Sequence, residues 1–512
     1  MKSLTAPLGE LAEFEEGQAL LRKEKACVAF TGCVDSQKLH MAYGLSDGFL
    51  YKVIVTFSDL RAREIYEEYA FYDKSTILYP AKDLIFYQAD IHGNQLVAER
   101  MKTLRRLIEG KPVTVVTTFA ALMSPQVSLE EIADAVIHVD ADSSLDEVKL
   151  ADSLARMGYE KTYQVDSPGQ FSIRGGIVDI FDLTEENPYR IELWGEEVES
   201  IRSFDLGSQR SVEKLTQIDI YPATELILTG EQKREGLSRI EKEAKAFAGK
   251  LREGFHTEEA ARITGQVREV AEQLREGIQV TSLESYIRYF YEDTVSFLQF
   301  FPDRYTCFFL DEPMRFAEQG KAVEMEFRES MSHRLEKGYI LPGQADLLYG
   351  FEETASRLAG MRTVLLSSMD SRNALIAPQK KFDVNVKGMA SYNNSFEALT
   401  ADLKRYKKNG YRVLLLSGSR TRAKRLAEDL QEEGLSSFYS EDANREVLPG
   451  EVELLYGHVK RGFEYPLLKF VVITESDIFG AQKKKKKRRR QFEGQKIQDF
   501  AELKVGDYVV HE

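Results

Sequence analysis

The sequence predicts a multidomain α/β protein: a parallel sheet interrupted by an inserted α+β unit, then a second α/β unit. Three observations carry this. Strand-like and helix-like stretches alternate over residues 20–125 and resume near 306 and 363. The alternation gives way to short strands between about 127 and 217, and it returns in a separate block over 382–480. Alternating strands and helices imply parallel strands with helices on the sheet faces.

Taken in order, Ala26–Thr31 reads as a buried strand and Ser36–Tyr43 as the helix after it. Lys52–Phe57, Ser75–Tyr79 and Val113–Thr118 are further strands, with helices over Leu60–Phe71 and Gln95–Glu109. Leu145–Met157 has helical spacing. Phe171–Phe181 then sets Arg174-Gly175-Gly176 between two β-prone runs, and Tyr189–Trp194 follows a turn containing Pro188. These short strands predict a small antiparallel sheet. Residues 229–299 read as mostly helical, and Thr306–Leu310 and Thr363–Ser367 restore the parallel-sheet pattern. In the last block Phe396–Asn409 and Thr421–Glu433 are helices, and Tyr411–Ser417, Glu451–Tyr456 and Phe470–Thr474 are strands. The layout is therefore 1–126 plus 218–375 for the first sheet unit, 127–217 for the insertion and 382–480 for the second α/β unit. A basic linker is expected over 481–498, and the start of a further domain over 499–512.

Composition narrows the class. The chain has 512 residues, 43% hydrophobic and 30% charged, which fits well-cored water-facing domains. No apolar run approaches the roughly 18 residues that span a bilayer, so a cytoplasmic protein with no membrane partner is expected. Its three cysteines, Cys27, Cys33 and Cys307, form no CxxC pair, and no metal site is indicated. The seven histidines fall into no catalytic spacing. A net charge of −14 argues against general nucleic-acid binding. The local exception is Lys483–Arg490, a basic run read as a solvated linker or as a weak, salt-sensitive nucleic-acid contact.

Two sets of residues carry candidate chemistry. A phosphate loop, G-x-x-x-x-G-K-[ST], needs glycines for a backbone cradle and a lysine for charge. The matching register runs from Ala29 to Ser36, and only Ser36 fits: Ala29 and Val34 replace the glycines and Asp35 the lysine. Asp311-Glu312 ends a strand as an Asp-Glu pair does beside bound magnesium in ATPases. An ordinary loop and a lost nucleotide site both remain open, and both predict no ATP hydrolysis. The second set is Arg174, Arg190 and Trp194. Arg190 and Trp194 share a strand face, and Trp194 is the sole tryptophan. Arginine with tryptophan is interface chemistry; a surface ion-pair set is the plain alternative.

Taken together, several motifs resemble one family, the bacterial transcription-repair coupling factors (Mfd). They are Thr31-Gly32, Tyr79-Pro80-Ala81, Arg174–Phe181, Tyr221–Glu225, Ser391-Tyr392-Asn393, Thr474–Gly480 and Leu503–Glu512. The resemblance implies a degenerate RecA/helicase-like sheet domain with an inserted UvrA-binding domain like that of UvrB. It implies a non-catalytic module that recruits UvrA through Arg174, Arg190 and Trp194 in transcription-coupled excision repair. Relatives often carry phenylalanine at the position of Trp194. RNA polymerase would be met by the domain beginning at 499–512. Double-stranded DNA, ATP and magnesium would be used only by a motor that this chain lacks, so no cofactor is expected. The alternative is a UvrB-type ATP-dependent damage-recognition enzyme. That family keeps an intact phosphate loop and inserts an aromatic hairpin, for which Lys82–Gln95 leaves little room.

Overall fold

In a computed structural model, residues 1–82, 93–276, 280, 283–370 and 376–480 are described. The basic run Lys483–Arg490, the segment Leu503–Glu512 and most of Lys82–Gln95 lie outside them.

The first sheet has seven strands, all parallel. Their spatial order is Lys380–Asp383, Cys27–Thr31, Thr363–Leu366, Thr306–Asp311, Tyr51–Thr56, Val113–Thr118 and Thr76–Tyr79. A sheet buried on both faces reads as continuous apolar strands, which is why Cys-Val-Ala-Phe and Cys-Phe-Phe-Leu are legible as such. Alternate residues enter two different cores. Ala29, Val53, Val115 and Phe308 pack under the helices Gly230–Glu253, Thr257–Glu276 and Pro313–Glu336. Val28, Phe30, Ile54 and Phe309 face the helices Ala12–Leu21, Asp35–Leu45 and Asp59–Tyr72.

Three elements differ from the sequence reading. Lys380–Asp383 adds an edge strand to the first sheet beyond residue 375, pairing with Cys27–Thr31. Pro313–Glu336 is a long helix, as its stripe of Phe316, Gly320, Phe327 and Met331 requires once Pro313 is placed at its first turn. Past Glu276 the described residues form short 3₁₀ and α turns, Leu283–Phe290 and Phe297–Phe300, rather than long helices.

The insertion forms a six-stranded sheet in the order Ser211–Leu215, Glu197–Phe204, Tyr189–Trp194, Ile177–Ile180, Gln170–Arg174 and Glu160–Lys161. It is antiparallel except at the last pair. The helix Glu147–Arg156 covers one face with Leu150 and Leu154, closing a core of Val178, Ile180, Ile191 and Ile201.

The last block is a second mixed sheet with Arg412–Ser417 at its centre, between Phe470–Thr474 and Val452–Tyr456, all parallel. Its faces also enter different cores. Val413 and Leu415 pack under Phe396–Lys408 and Arg420–Glu432, whereas Leu414, Leu416, Phe463 and Phe470 join the core of the first sheet's helices.

Candidate functional site

Two places gather the candidate residues. The first is the outward face of the inserted sheet. Strand Tyr189–Trp194 alternates strictly: Tyr189, Ile191 and Leu193 point into the core, Arg190, Glu192 and Trp194 out of it. Neighbouring strands place Asp179 beside Arg190 and Ile177 beside Glu192. The turn Gly175-Gly176 joins the strands with φ of +56° and +80°, the geometry of a two-residue hairpin turn that non-glycine residues resist. A Cβ on Gly176 would also lie 2.9 Å from the Leu193 carbonyl oxygen. The two glycines therefore fix where Arg174 emerges.

Arg190 and Arg174 converge on one carboxylate. Arg190 Nε and Nη2 donate to the two oxygens of Asp179 at 2.6 and 2.8 Å, and Arg174 Nη2 reaches Asp179 Oδ2 at 3.4 Å. Asp179 is buried, and the Arg190 side chain is only 14% exposed, laid over the Phe204 ring at 4.2 Å. Arg174 is 37% exposed and sits over Tyr163 at 5.3 Å. Trp194 is 79% exposed. The face thus offers two oriented guanidinium groups, exposed Tyr163 and Trp194, and Ile177 between them. Arg190 departs from a purely external role, because it also neutralises a buried acid. A second ion pair, Arg202 with Glu192 at 2.7 Å, continues the same surface.

The second place is the loop after strand Cys27–Thr31. Here the structure corrects the phosphate-loop register. Ala29 is not loop but a buried mid-strand residue paired with Leu365. Only Gly32, Cys33 and Val34 separate the strand from the helix Asp35–Leu45, too few to form the cradle. Gly32, with φ of +74°, lies so close to the edge strand that a Cβ would fall 2.6 Å from the Val384 carbonyl oxygen. Val34 N–H donates to Gln37 Oε1 at 3.2 Å, closing the helix end on itself. Asp35 is exposed, at the helix N-terminus where an acid is stabilising, 3.9 Å from Arg61. Ser36 is buried, and its Oγ accepts from the Arg461 N–H at 3.0 Å.

The sequence reading found no lysine, yet one is there. Lys38, one turn further along the same helix and buried, reaches Asp311 at 3.3 Å and bonds Glu312. Asp311 also accepts from Thr56 Oγ1 at 2.9 Å and Arg61 Nε at 3.1 Å. Glu312 holds a left-handed φ of +55° and accepts the Ser368 N–H at 2.9 Å. Both acids are thus neutralised from within the protein. Among the described residues no group of His, Cys, Asp or Glu is arranged to hold a metal.

The helix Asp35–Leu45 is also capped by the second α/β unit. Gln37 Nε2 donates to the Tyr465 hydroxyl at 2.9 Å. His40 Nδ1 lies 3.1 Å from that same hydroxyl, and its Nε2 lies 2.8 Å from the Leu4 carbonyl oxygen. Burial holds His40 well below its ordinary range, at about 4, only partly offset by the Leu4 bond.

Motifs that are far apart in sequence also meet. Arg100, fully buried and unmarked by any sequence pattern, donates to the Pro80 carbonyl at 2.8 Å, to Gln126 Oε1 at 2.8 Å and to Glu225 Oε2 at 3.0 Å. It joins Tyr79-Pro80-Ala81 to Tyr221–Glu225 at the root of the insertion. Burial alone would raise the Glu225 carboxyl; Arg100 and Lys82 outweigh it and hold it at about 2. Likewise Tyr392 N–H donates to the Asp477 carbonyl at 2.7 Å, so Ser391-Tyr392-Asn393 meets Thr474–Gly480. These are scaffold contacts.

A family model described as the UvrB interaction domain matches residues 137–226, the stretch that holds the antiparallel sheet. The transcription-repair-coupling factor of Bacillus subtilis (strain 168) is 34% identical over 443 residues, covering 86% of this chain and 37% of that protein. That of Staphylococcus aureus (strain USA300) is 26% identical over 443 residues, covering 85% of this chain and 36% of that protein. The chain therefore spans little more than a third of the length of the curated relatives it matches. The resemblance to transcription-repair coupling factors, read first from the motifs, is borne out by these matches.

Proposed function

We propose that this chain is the UvrA-recruiting, non-catalytic part of a transcription-repair coupling factor, acting in the cytoplasm in transcription-coupled excision repair. The observation that carries the reading is the outward face of the inserted sheet, where Arg174, Arg190 and Trp194 stand together inside the matched UvrB interaction domain. Guanidinium groups already oriented on Asp179 lose little freedom on meeting a partner's carboxylates. Trp194 and Tyr163 bring apolar area that solvent now covers. RNA polymerase would be met through the residues from 499 onward, and double-stranded DNA, ATP and magnesium through the motor of the longer relatives.

The alternative, a UvrB-type ATP-dependent enzyme, needs an open phosphate site. The shortened loop, the Lys38 ion pairs and the cover given by Arg461 and Tyr465 all favour the non-catalytic reading. The test is titration of UvrA with the parent chain and with Trp194→Ala and Arg174→Ala. Each variant should lose more than about tenfold in affinity, as for hot-spot truncations of about 2 kcal/mol. Unchanged affinity in folded variants would move the docking face elsewhere.

A further inference from the structure

The second α/β unit carries a cationic rim that UvrA docking does not use. Its parallel strands end in step, Ser417 beside Tyr456 and Leu416 beside Thr474. The carboxyl ends of parallel strands are where α/β sheets present their loops to ligands. From this edge rise the first turn of helix Arg420–Glu432 and the loop 457–462. Between them they display Arg420, Arg422, Lys460 and Arg461, all exposed, and Tyr456, which ends one of the strands and is 52% exposed. The Arg420 guanidinium lies 5.7 Å from the Tyr456 ring centroid. Arg422 is paired with Glu475 at 3.2 Å and Lys460 with Glu64 at 2.8 Å. Arg420 and Arg461 form no ion pair among the described residues.

The charges on this helix run against its dipole. Arg420, Arg422, Lys424 and Arg425 fill its first half, Glu428, Asp429 and Glu432 its second. Cations at the positive end of a helix destabilise it, each by a few tenths of a kcal/mol to about 1 kcal/mol. An anion lying across the rim reverses the sign of that term. The arrangement stands out in a chain whose net charge is −14.

We propose that this rim binds single-stranded nucleic acid, its phosphates on Arg420, Arg422 and Arg461 and one base against Tyr456. Cations from two separate segments at one sheet edge, with an exposed aromatic ring beside one of them, fit the pattern of strand-tracking surfaces, in which charge holds the backbone and an aromatic face stacks a base. An acidic protein would engage the cations but would have less use for an exposed ring among them.

The experiment uses the full chain with Lys483–Arg490 changed to glutamine, which removes the polybasic run's own attraction. A fluorescent oligothymidylate is titrated at several salt concentrations, with circular dichroism and melting temperature as folding controls. Arg420→Ala with Arg461→Ala should weaken binding at least about fivefold and flatten the salt dependence by about 1.4 in log–log slope, since each lost phosphate contact removes about 0.7. Tyr456→Ala should weaken binding about fivefold or more with the slope unchanged. Arg420→Lys with Arg461→Lys should keep the slope. No binding by the glutamine-substituted parent, or unchanged affinity in both folded alanine variants, would overturn the proposal. So would capture of an acidic peptide in place of the oligonucleotide.

Discussion

At the residue scale, the candidate docking arginines are not equivalent, and alternation along a strand could not separate them. The sequence places Arg190 and Trp194 on one face correctly, because that needs only a period of two. It does not reveal that Asp179, across the sheet, is buried and needs Arg190. Removing Arg190 leaves that carboxylate with the weaker, longer contact to Arg174 alone. Arg190→Ala should therefore lower stability by about 2 kcal/mol in urea unfolding, as loss of one partner of a buried charge does. The double variant with Asp179→Ala should recover much of it; no recovery would show that the pairing is not the cause. Trp194→Ala should leave stability unchanged, which makes it the cleaner docking probe. His40 is a second residue whose role the sequence hides, since a lone histidine carries no spacing to read. Buried between Leu4 and Tyr465, it stays neutral in the fold down to about pH 4, whereas the unfolded chain protonates it from about pH 6.5. Its contribution is whole above pH 6.5 and is lost as pH falls from there toward 4. The loss should be on the order of 3 kcal/mol. Melting temperature followed over that range should fall less steeply for His40→Gln than for the parent; an identical slope would assign the acid sensitivity to other groups.

At the element scale, the strands with unbroken apolar runs and the helices with clear stripes were legible in the sequence, from Cys27–Thr31 to Phe470–Thr474. What failed to show had physical reasons. Lys380–Asp383 is an edge strand with exposed lysines, so it lacks the apolar run that marks a buried strand. Pro313–Glu336 opens on a proline after a left-handed Glu312, and proline reads as a break unless it is placed in the first helical turn. The phosphate loop is the instructive case. Motif matching placed the defects at Ala29, Val34 and Asp35, yet in the structure the first three positions of the register are strand and the connection has no room for a cradle. Lys38, outside the motif, already fills the space beside Asp311 and Glu312. Restoring the motif's lysine should therefore not restore the site. Asp35→Lys should bind magnesium–ATP no better than the parent in calorimetric titration, and neither should release phosphate above buffer. Micromolar binding by Asp35→Lys would mean that the lysine alone was missing and that the loop geometry does not matter.

At the scale of the whole molecule, periodicity separates units that the packing joins. Nothing in local sequence states which sheet face a distant helix covers. The outward side of the first sheet, through Leu4, Leu8, Leu39, Ile65 and Tyr69, shares one core with Leu416, Leu455, Phe463, Tyr465 and Phe470 of the second α/β unit. The insertion instead closes its own core, from Val139 and Leu154 to Ile201 and Ile220, with Val97 and Ala98 of the first unit packed only at its margin. A shared apolar core couples the stability of the elements on both sides of it, whereas separate cores can open separately. The two α/β units should therefore unfold together and the insertion on its own. Phe463→Ala tests this, because Phe463 is fully buried with its ring 5.0 Å from that of His40. It should cost about 3–5 kcal/mol, as Phe→Ala does in a close-packed core. In native-state hydrogen exchange the loss should register in both Arg412–Ser417 and Thr306–Asp311, strands of different sheets, while Ile177–Ile180 and Tyr189–Trp194 keep their protection. Loss confined to Arg412–Ser417 would mean that the two sheets meet at a surface that can part. The proposed UvrA-docking face would keep its own stability in either case, since among the described residues no side chain of the insertion's core belongs to the shared one.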